Sequence, residues 1–325
     1  MAENQYGFPT EVLSLPSQGL LYPEDSPLRS GKVDVKYMTA KEEDILTSQN
    51  LIEQGVVITR LLESVIANPK VKLDDMLVGD KNAIMIGTRI LGYGKDYRIS
   101  LVDPDTNERV EHSVDLTKLE NKPIDEKLFE NGNNFTFELP NSKRVIGFKL
   151  LTQKDEKQID EALKDYEKVE KLTGVSYNLT TRFKHQIVSI DDNTDQKEID
   201  NFVDNEFLAL DTRAFRKYLD EITPDIELRF DYTSQTGNLH KIDVPLGIDF
   251  FGQPPSNRAA IHEELFNIAY YGNGFNHNEL YNMPVPLRRF YAEKLVEAKN
   301  KEAEQIKKAT QKDTSKIQRP NIQKS

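Results

Sequence analysis

Apolar and polar positions alternate, break and resume along this chain in a way that predicts most of its elements. Val33, Val35 and Tyr37 alternate with Lys32, Asp34 and Lys36, the period of a half-buried strand. Thr39 and Glu42 form a Thr-x-x-Glu capping box, which predicts a helix over about 40–48. A second helix over 55–67 sets Val57, Ile58, Leu61, Leu62, Val65 and Ile66 at helical spacing. A third begins near Asp80 and carries Ile84, Ile86, Ile90 and Leu91 before Gly92 and Gly94 break the pattern. Tyr97, Ile99 and Leu101 alternate with Arg98 and Ser100, Asp103-Pro104-Asp105-Thr106-Asn107 turns the chain, and Val110 to Leu116 returns as the second strand of a β-ribbon. A hairpin follows from Phe135–Leu139 through Pro140-Asn141-Ser142 to Val145–Leu150. Thr152 and Asp155 then cap a long, strongly charged helix that ends near Gly174.

Ahead of the first strand stands Leu15-Pro16-Ser17-Gln18-Gly19-Leu20-Leu21-Tyr22-Pro23. Pro16 and Pro23 fix their own φ and push Leu15 and Tyr22 out of the helical region, and Gly19 permits a backbone angle that other residues avoid. This predicts an extended apolar arm without regular structure. Such an arm lies on something apolar, either its own domain or a partner. In the second case Leu15, Pro16, Gly19, Leu20, Leu21 and Tyr22 are the contact residues.

The second half echoes part of the first. Asp211 opens a helix with Phe215, Tyr218, Leu219 and Ile222; Ile226, Leu228 and Phe230 form a strand, and Leu239–Phe250 returns after a polar turn. The separation from Asp80 to Arg98 equals that from Asp211 to Arg229. Val114-Asp115-Leu116 answers to Val244-Pro245-Leu246 after a one-residue shift. A duplicated helix-plus-ribbon unit accounts for this, and so does chance, since helix–hairpin order is common. Phe250-Phe251-Gly252-Gln253-Pro254-Pro255 ends a strand in a rigid apolar turn, either a core plug or a contact surface. A last helix starts near Pro286 and puts Leu287, Phe290, Tyr291 and Leu295 on one stripe, with Arg288 and Arg289 available to an acidic surface. Phe250, Phe251, Arg288, Arg289 and Phe290 complete the candidate partner-binding residues.

Three stretches together resemble a known family. They are Leu15 through Leu46; Asp211–Tyr218 with Ile222-Thr223-Pro224-Asp225-Ile226 and Val244–Phe251; and Leu280-Tyr281-Asn282-Met283-Pro284-Val285-Pro286-Leu287-Arg288-Arg289-Phe290. In this order they are similar to the baseplate hub assembly proteins of T4-like contractile-tailed phages, over roughly residues 10–297. The resemblance implies a non-enzymatic morphogenesis protein that helps build the central hub, with phage hub and tape-measure proteins as partners. It also implies action in the host cytoplasm during assembly, or residence in the virion baseplate. Many relatives place a Cys-x-x-Cys-like pair at each ribbon tip. Here Asp103-Pro104-Asp105-Thr106 and Thr233-Ser234-Gln235-Thr236-Gly237 stand there, so the resemblance transfers no zinc site.

Composition narrows the classes further. A chain of 325 residues holds two cores by default. It has no apolar run near eighteen residues, so no membrane-spanning helix is expected, and Met-Ala-Glu-Asn-Gln at the start has no mark of a secretory leader. Zero cysteines remove disulfides and thiolate sites. A net charge of −11 disfavours nucleic acid as the main ligand. Charge is uneven: residues 299–325 carry eight Lys or Arg against three Asp or Glu, a balance of +5 that leaves −16 on the rest.

Candidate chemistry is sparse. Gly92-Tyr93-Gly94-Lys95 lacks phosphate-loop spacing, and Asp191, Asn193 and Asp195 open a calcium-loop pattern that fails at Gln196 and Phe202. His112, His185, His240, His262 and His277 are scattered, and no nucleophile elbow is present. No catalytic, cofactor or metal residue is therefore assigned. The expected fold class is α+β: two helix-and-ribbon lobes, read as duplicated or not, joined by a charged helix and followed by a helical C-terminal arm. The expected divisions are 1–38 arm and strand, 39–151 first lobe, 152–210 charged helical connector, 211–285 second lobe, and 286–325 C-terminal helix with a basic disordered tail. Partners are proteins, with self-association an open alternative, and neither nucleic acid nor membrane. A retained structural component of the baseplate and a cell-wall hydrolase are the competing functions.

Overall fold

The computed structural model describes residues 8–174 and 176–314. The fold is α+β, as expected: among the described residues, helices with four small antiparallel sheets. The predicted arm begins with a strand of its own. β1 (Thr10–Ser14) pairs antiparallel with β2 (Lys32–Lys36), Ser14 opposite Lys32. Its Thr-Glu-Val-Leu-Ser pattern hides the strand because Val12 points outward, 59% exposed. The excursion between the strands closes on itself. Gly19 has φ +81°, and a Cβ there would stand 2.3 Å from the Arg29 carbonyl oxygen. Gly31 answers at φ +66°, with a Cβ position 2.5 Å from the Gln18 carbonyl oxygen. Leu15, Leu21 and Tyr22 are buried in the chain's own core, so the arm packs intramolecularly.

β2 leads into α1 (Ala40–Leu46), α2 (Gln49–Glu53), which periodicity missed, and α3 (Val57–Val65). Val57, Leu61, Leu62 and Val65 bury one face of α3. α4 (Val78–Tyr93) ends at Gly94, φ +85°, and feeds the ribbon β3 (Asp96–Val102) and β4 (Arg109–Asp115) in the register Asp96 opposite Asp115. β5 (Phe135–Glu138) and β6 (Val145–Phe148) form the predicted hairpin. α5 (Gln153–Thr173) and α6 (Asn178–Gln186) follow, and β7 (Ile187–Ile190) returns to pair with β6. α7 (Gln196–Asn201) and α8 (Ala209–Ile222) precede the second ribbon, β8 (Arg229–Thr233) and β9 (Leu239–Asp243). The segment 152–210 is thus more than the expected connector. It completes a three-stranded sheet, and Ile187 and Ile190 lie in the core.

The same local bonds occur in both halves. Glu42 accepts from the N–H and hydroxyl of Thr39 and from Lys36; Asp155 accepts from the N–H and hydroxyl of Thr152 and from Lys149. Ile66, just past α3, bridges to Val35, and Ile187, just past α6, pairs with Phe148. Asp80, in the first turn of α4, accepts from Ser17 of the Leu15-Pro16 loop through its N–H (2.9 Å) and its hydroxyl (2.6 Å). Asp211, in the first turn of α8, accepts from the N–H groups of Asn141 (2.7 Å) and Ser142 (3.0 Å) in the Leu139-Pro140 loop. The correspondences begin at β1 and β5, not at the expected lobe boundaries, and one hydrophobic cluster running from Leu15 to Val285 joins both halves.

α9 (Asn257–Tyr271), α10 (His277–Tyr281) and α11 (Val285–Thr314) fold back onto α1. Ala40, Ile261, Leu265, Ile268 and Leu280 make a second cluster there. Asp44 ties it down by accepting from His262 (2.9 Å) and the Tyr281 hydroxyl (2.7 Å). The expected stripe of Leu287, Phe290, Tyr291 and Leu295 is not the buried face of α11. Val285 and Arg288 go inward instead, because Arg288 meets Glu43 and Glu264, each at 2.6 Å. The basic tail expected from Lys312 starts as helix through Thr314, and residues 315–325 lie outside the described residues, as do 1–7 of the arm.

Two substitutions test these contacts. Gly19→Ala forces a left-handed alanine into the Arg29 backbone and is expected to cost about 2 kcal/mol or more, read as a lower thermal midpoint. Arg288→Met strands the buried Glu43 carboxylate and is expected to cost about 3–5 kcal/mol in urea unfolding, with much of the loss recovered in the Arg288→Met/Glu43→Gln double variant.

Candidate functional site

Most residues singled out by sequence face inward. Leu15, Pro16, Gly19, Leu21, Tyr22, Phe250, Phe251 and Arg288 are buried, and Leu20 is half-buried. Phe250 sits edge-on to Tyr97 at 5.0 Å between ring centres, which makes it a core plug. The Tyr22 hydroxyl donates to Asp80 (2.6 Å) and accepts from the Leu77 N–H (2.9 Å). Apart from Leu20, these side chains have little surface to offer a partner in this fold. Arg289 and Phe290 remain outside, Arg289 stacked 4.9 Å from the Tyr93 ring centre.

Four aromatic side chains stand exposed on the C-terminal helices. Phe266, Tyr270 and Tyr271 on α9 are 58%, 65% and 51% exposed, and Phe290 on α11 is 49% exposed. Phe266 and Tyr270 stack at 5.4 Å, one helical turn apart. Sequence reasoning passed over this surface. Its signal was α9 itself, apolar on both faces, with Ile261, Leu265 and Ile268 inside and the aromatics outside.

The ribbons form a second functional feature, because their tips lock to each other. Asp103 accepts from the N–H groups of Asp105 (2.9 Å) and Thr106 (3.0 Å) in its own turn, then from the Tyr232 hydroxyl (2.8 Å) and the Gln235 N–H (2.9 Å) across the interface. Asp105 accepts from the hydroxyls of Ser234 and Thr236, from Asn238 (3.0 Å), and meets His240 at 3.0 Å. His112 stacks on Phe230 and stands edge-on to Tyr232. Burial alone would raise the Asp103 carboxyl, but its four donors hold it down to about 2. The Ser234 and Thr236 hydroxyls lead the donors that hold Asp105 lower still. Each ribbon tip is thus held both by its own turn and by the other ribbon.

A cavity of about 430 Å³ opens beside the start of α4. Leu77, Leu179 and Leu219 supply apolar walls, and Arg182 grips Glu156 through both guanidinium nitrogens. Asp225, on its rim, is pushed up by burial and accepts from Asn82 at 3.3 Å. With Arg182 and both carboxylates engaged and the exposed Arg216 also on its lining, this cavity is suited to an apolar side chain flanked by charge. Among the described residues no group of three or more His, Cys, Asp or Glu is placed to hold a metal ion. Among them, too, no helix is long and apolar enough to cross a membrane.

A family model described as T4 bacteriophage base plate protein matches residues 21–252. The match takes in the end of the arm from Leu21, both ribbons and the cavity, and stops before α9 and the aromatic surface. No curated protein and no solved structure matches the chain significantly.

The ribbon lock makes a prediction about acid. Carboxyls depressed in the folded state stabilise it fully above their unfolded value of about 3.9, and that contribution is lost as pH falls through the folded value. The ribbon contact is therefore expected to weaken as pH drops from about 4 toward 2, with a shallower slope of stability against pH in Asp105→Asn. Acid titration followed by near-ultraviolet circular dichroism of the tyrosines reads both.

Proposed function

The chain belongs to the T4 bacteriophage base plate protein family, and we propose that within the baseplate it acts without catalysis, as an assembly chaperone of the central hub. The observation that carries this reading is the exposed aromatic surface of α9 and α11 beside a helix that extends far beyond its last core contact. Phe266, Tyr270, Tyr271 and Phe290 offer a large apolar area at low entropic cost. From Glu297 to Ala309 the residues of α11 are all exposed, as befits a helix that lies along another subunit or projects between subunits. Hub or tape-measure subunits would be held on these surfaces until they assemble in register. The physics required is differential affinity: the immature partner must bind more tightly than the finished hub, or the chaperone never leaves.

A second reading, a component retained in the particle, draws on the ribbon lock. Two ribbons joined by two carboxylates and six donor groups across the interface form a rigid body suited to permanent burial in a complex. Quantitative mass spectrometry of purified particles beside infected-cell lysate separates the two. Abundance in lysate with near-absence from particles is expected for the chaperone; a fixed ratio to hub subunits in the particle would replace it with the component.

A further inference from the structure

In both halves, the start of a capped, acidic helix is covered by the start of another helix. The Leu151 carbonyl accepts from the Val78 N–H (3.3 Å), Leu77 bridges to Thr152, and the Met76 carbonyl accepts from the Gln153 N–H (2.8 Å). The start of α4 thus lies over the start of α5. Met38 precedes Thr39 as Leu151 precedes Thr152, and its carbonyl accepts from the Val285 N–H (2.8 Å), so the start of α11 lies over the start of α1. The side chains keep the same order. Three residues past Val285, Arg288 binds Glu43; three residues past Val78, Lys81 lies in the field of Glu156. One residue further, Arg289 stacks on Tyr93 at the end of α4, and Asn82 reaches Asp225 just past the end of α8. α11 therefore does for the first half what α4 does for the second.

A third helix start of this kind is left over. Leu208 precedes α8 with nearly the backbone angles that Leu77 has before α4 (φ −60°, ψ 142° against φ −63°, ψ 149°). Asp211 holds its loop as Asp80 does. Yet Leu77 is 4% exposed under its partner helix, whereas Leu208 is 50% and Leu210 65% exposed, with Arg213 and Arg216 also in solvent. In stacked repeats, an inner unit leaves an apolar face for its neighbour and an end unit needs a cap. Here α11 caps one end and the other is open.

We propose that the start of α8, Leu208 to Arg213, is a docking site for a partner protein. Its occupant is a Thr- or Ser-capped helix start with carboxylates in the first turn, the segment that α4 and α11 cover inside this chain. Arg213 and Arg216 complement its charge. A second copy of this chain is not the occupant, because both of its own segments of this type are already covered. The site follows from the chain's internal contacts and holds for a chaperone and for a retained component alike.

The probe is a synthetic peptide with the sequence of Lys149–Asp165, containing Thr152, Asp155 and Glu156. A lactam between Lys157 and Glu161 keeps it helical, since short isolated helices fray. The full chain has no cysteine, so Lys217→Cys, one turn beyond the site, takes a single environment-sensitive dye. Saturable binding is expected, weakened about tenfold or more by Leu208→Asp or Leu210→Asp, the scale of losing one buried leucine contact. Replacing Thr152 and Asp155 of the peptide by alanine should weaken it likewise. Both leucines are exposed, so the thermal midpoint should hold in the variants. No saturation up to millimolar peptide, or binding unchanged in both variants, overturns the proposal. Sedimentation of the unlabelled chain adds one further outcome: a concentration-dependent dimer abolished by Leu210→Asp would make the occupant a second copy and overturn the partner assigned here.

Discussion

Carboxylates at helix starts hold this molecule together. The first turn of a helix leaves backbone N–H groups without partners, and a nearby loop leaves more. Glu42 and Asp155 close the first turns of α1 and α5 and also reach back to a lysine at the end of the preceding strand. Asp80 and Asp211 reach the other way and fasten a Leu-Pro loop to the helix behind it. Each of these groups is buried, where an unsatisfied donor costs far more than a made hydrogen bond gains. Loops, strands and helices are consequently fixed relative to each other by a few short bonds around one apolar cluster.

The two middle carboxylates behave differently for a physical reason. Asp80 sits where burial dominates, beside Tyr22 and Ser17, and its carboxyl is pushed up. Asp211 is also held in place by its loop, but the Asn141 and Ser142 donors outweigh burial and pull it down. One arrangement of loop and helix thus tolerates two electrostatic balances. The constraint is the geometry of the donors, and the proton affinity follows from whether burial or those donors win at each site.

A frame tied this way directs its remaining contacts outward at its ends. The ribbons are spent on each other, and the N-terminal arm is spent on the core. What stays open is the aromatic side of α9, the exposed length of α11 and the start of α8. All three are helical, and two lie outside the stretch that matches the baseplate family.

Local pattern alone determined a good deal. The capping box at Thr39, the stripe of α3, the glycine stop after α4, both ribbons and the hairpin at Phe135 are each written in a few adjacent residues, because capping, periodicity and turn chemistry act over one or two turns. β1 and β7 were not legible, since each is a strand only through a partner far along the chain. Most of the candidate contact residues face inward, while Arg289 and Phe290 stay outside. Leu15, Tyr22 and Phe250 are as apolar as the sequence says, but apolarity does not reveal whether a side chain meets its own core or another protein. Arg288 shows the converse: a cation on a surface helix becomes the interior group because Glu43 and Glu264 wait there, more than two hundred and more than twenty residues away respectively. Which carboxylate meets which donor, and which helix start is left uncovered, depends on distances that only the folded chain brings together.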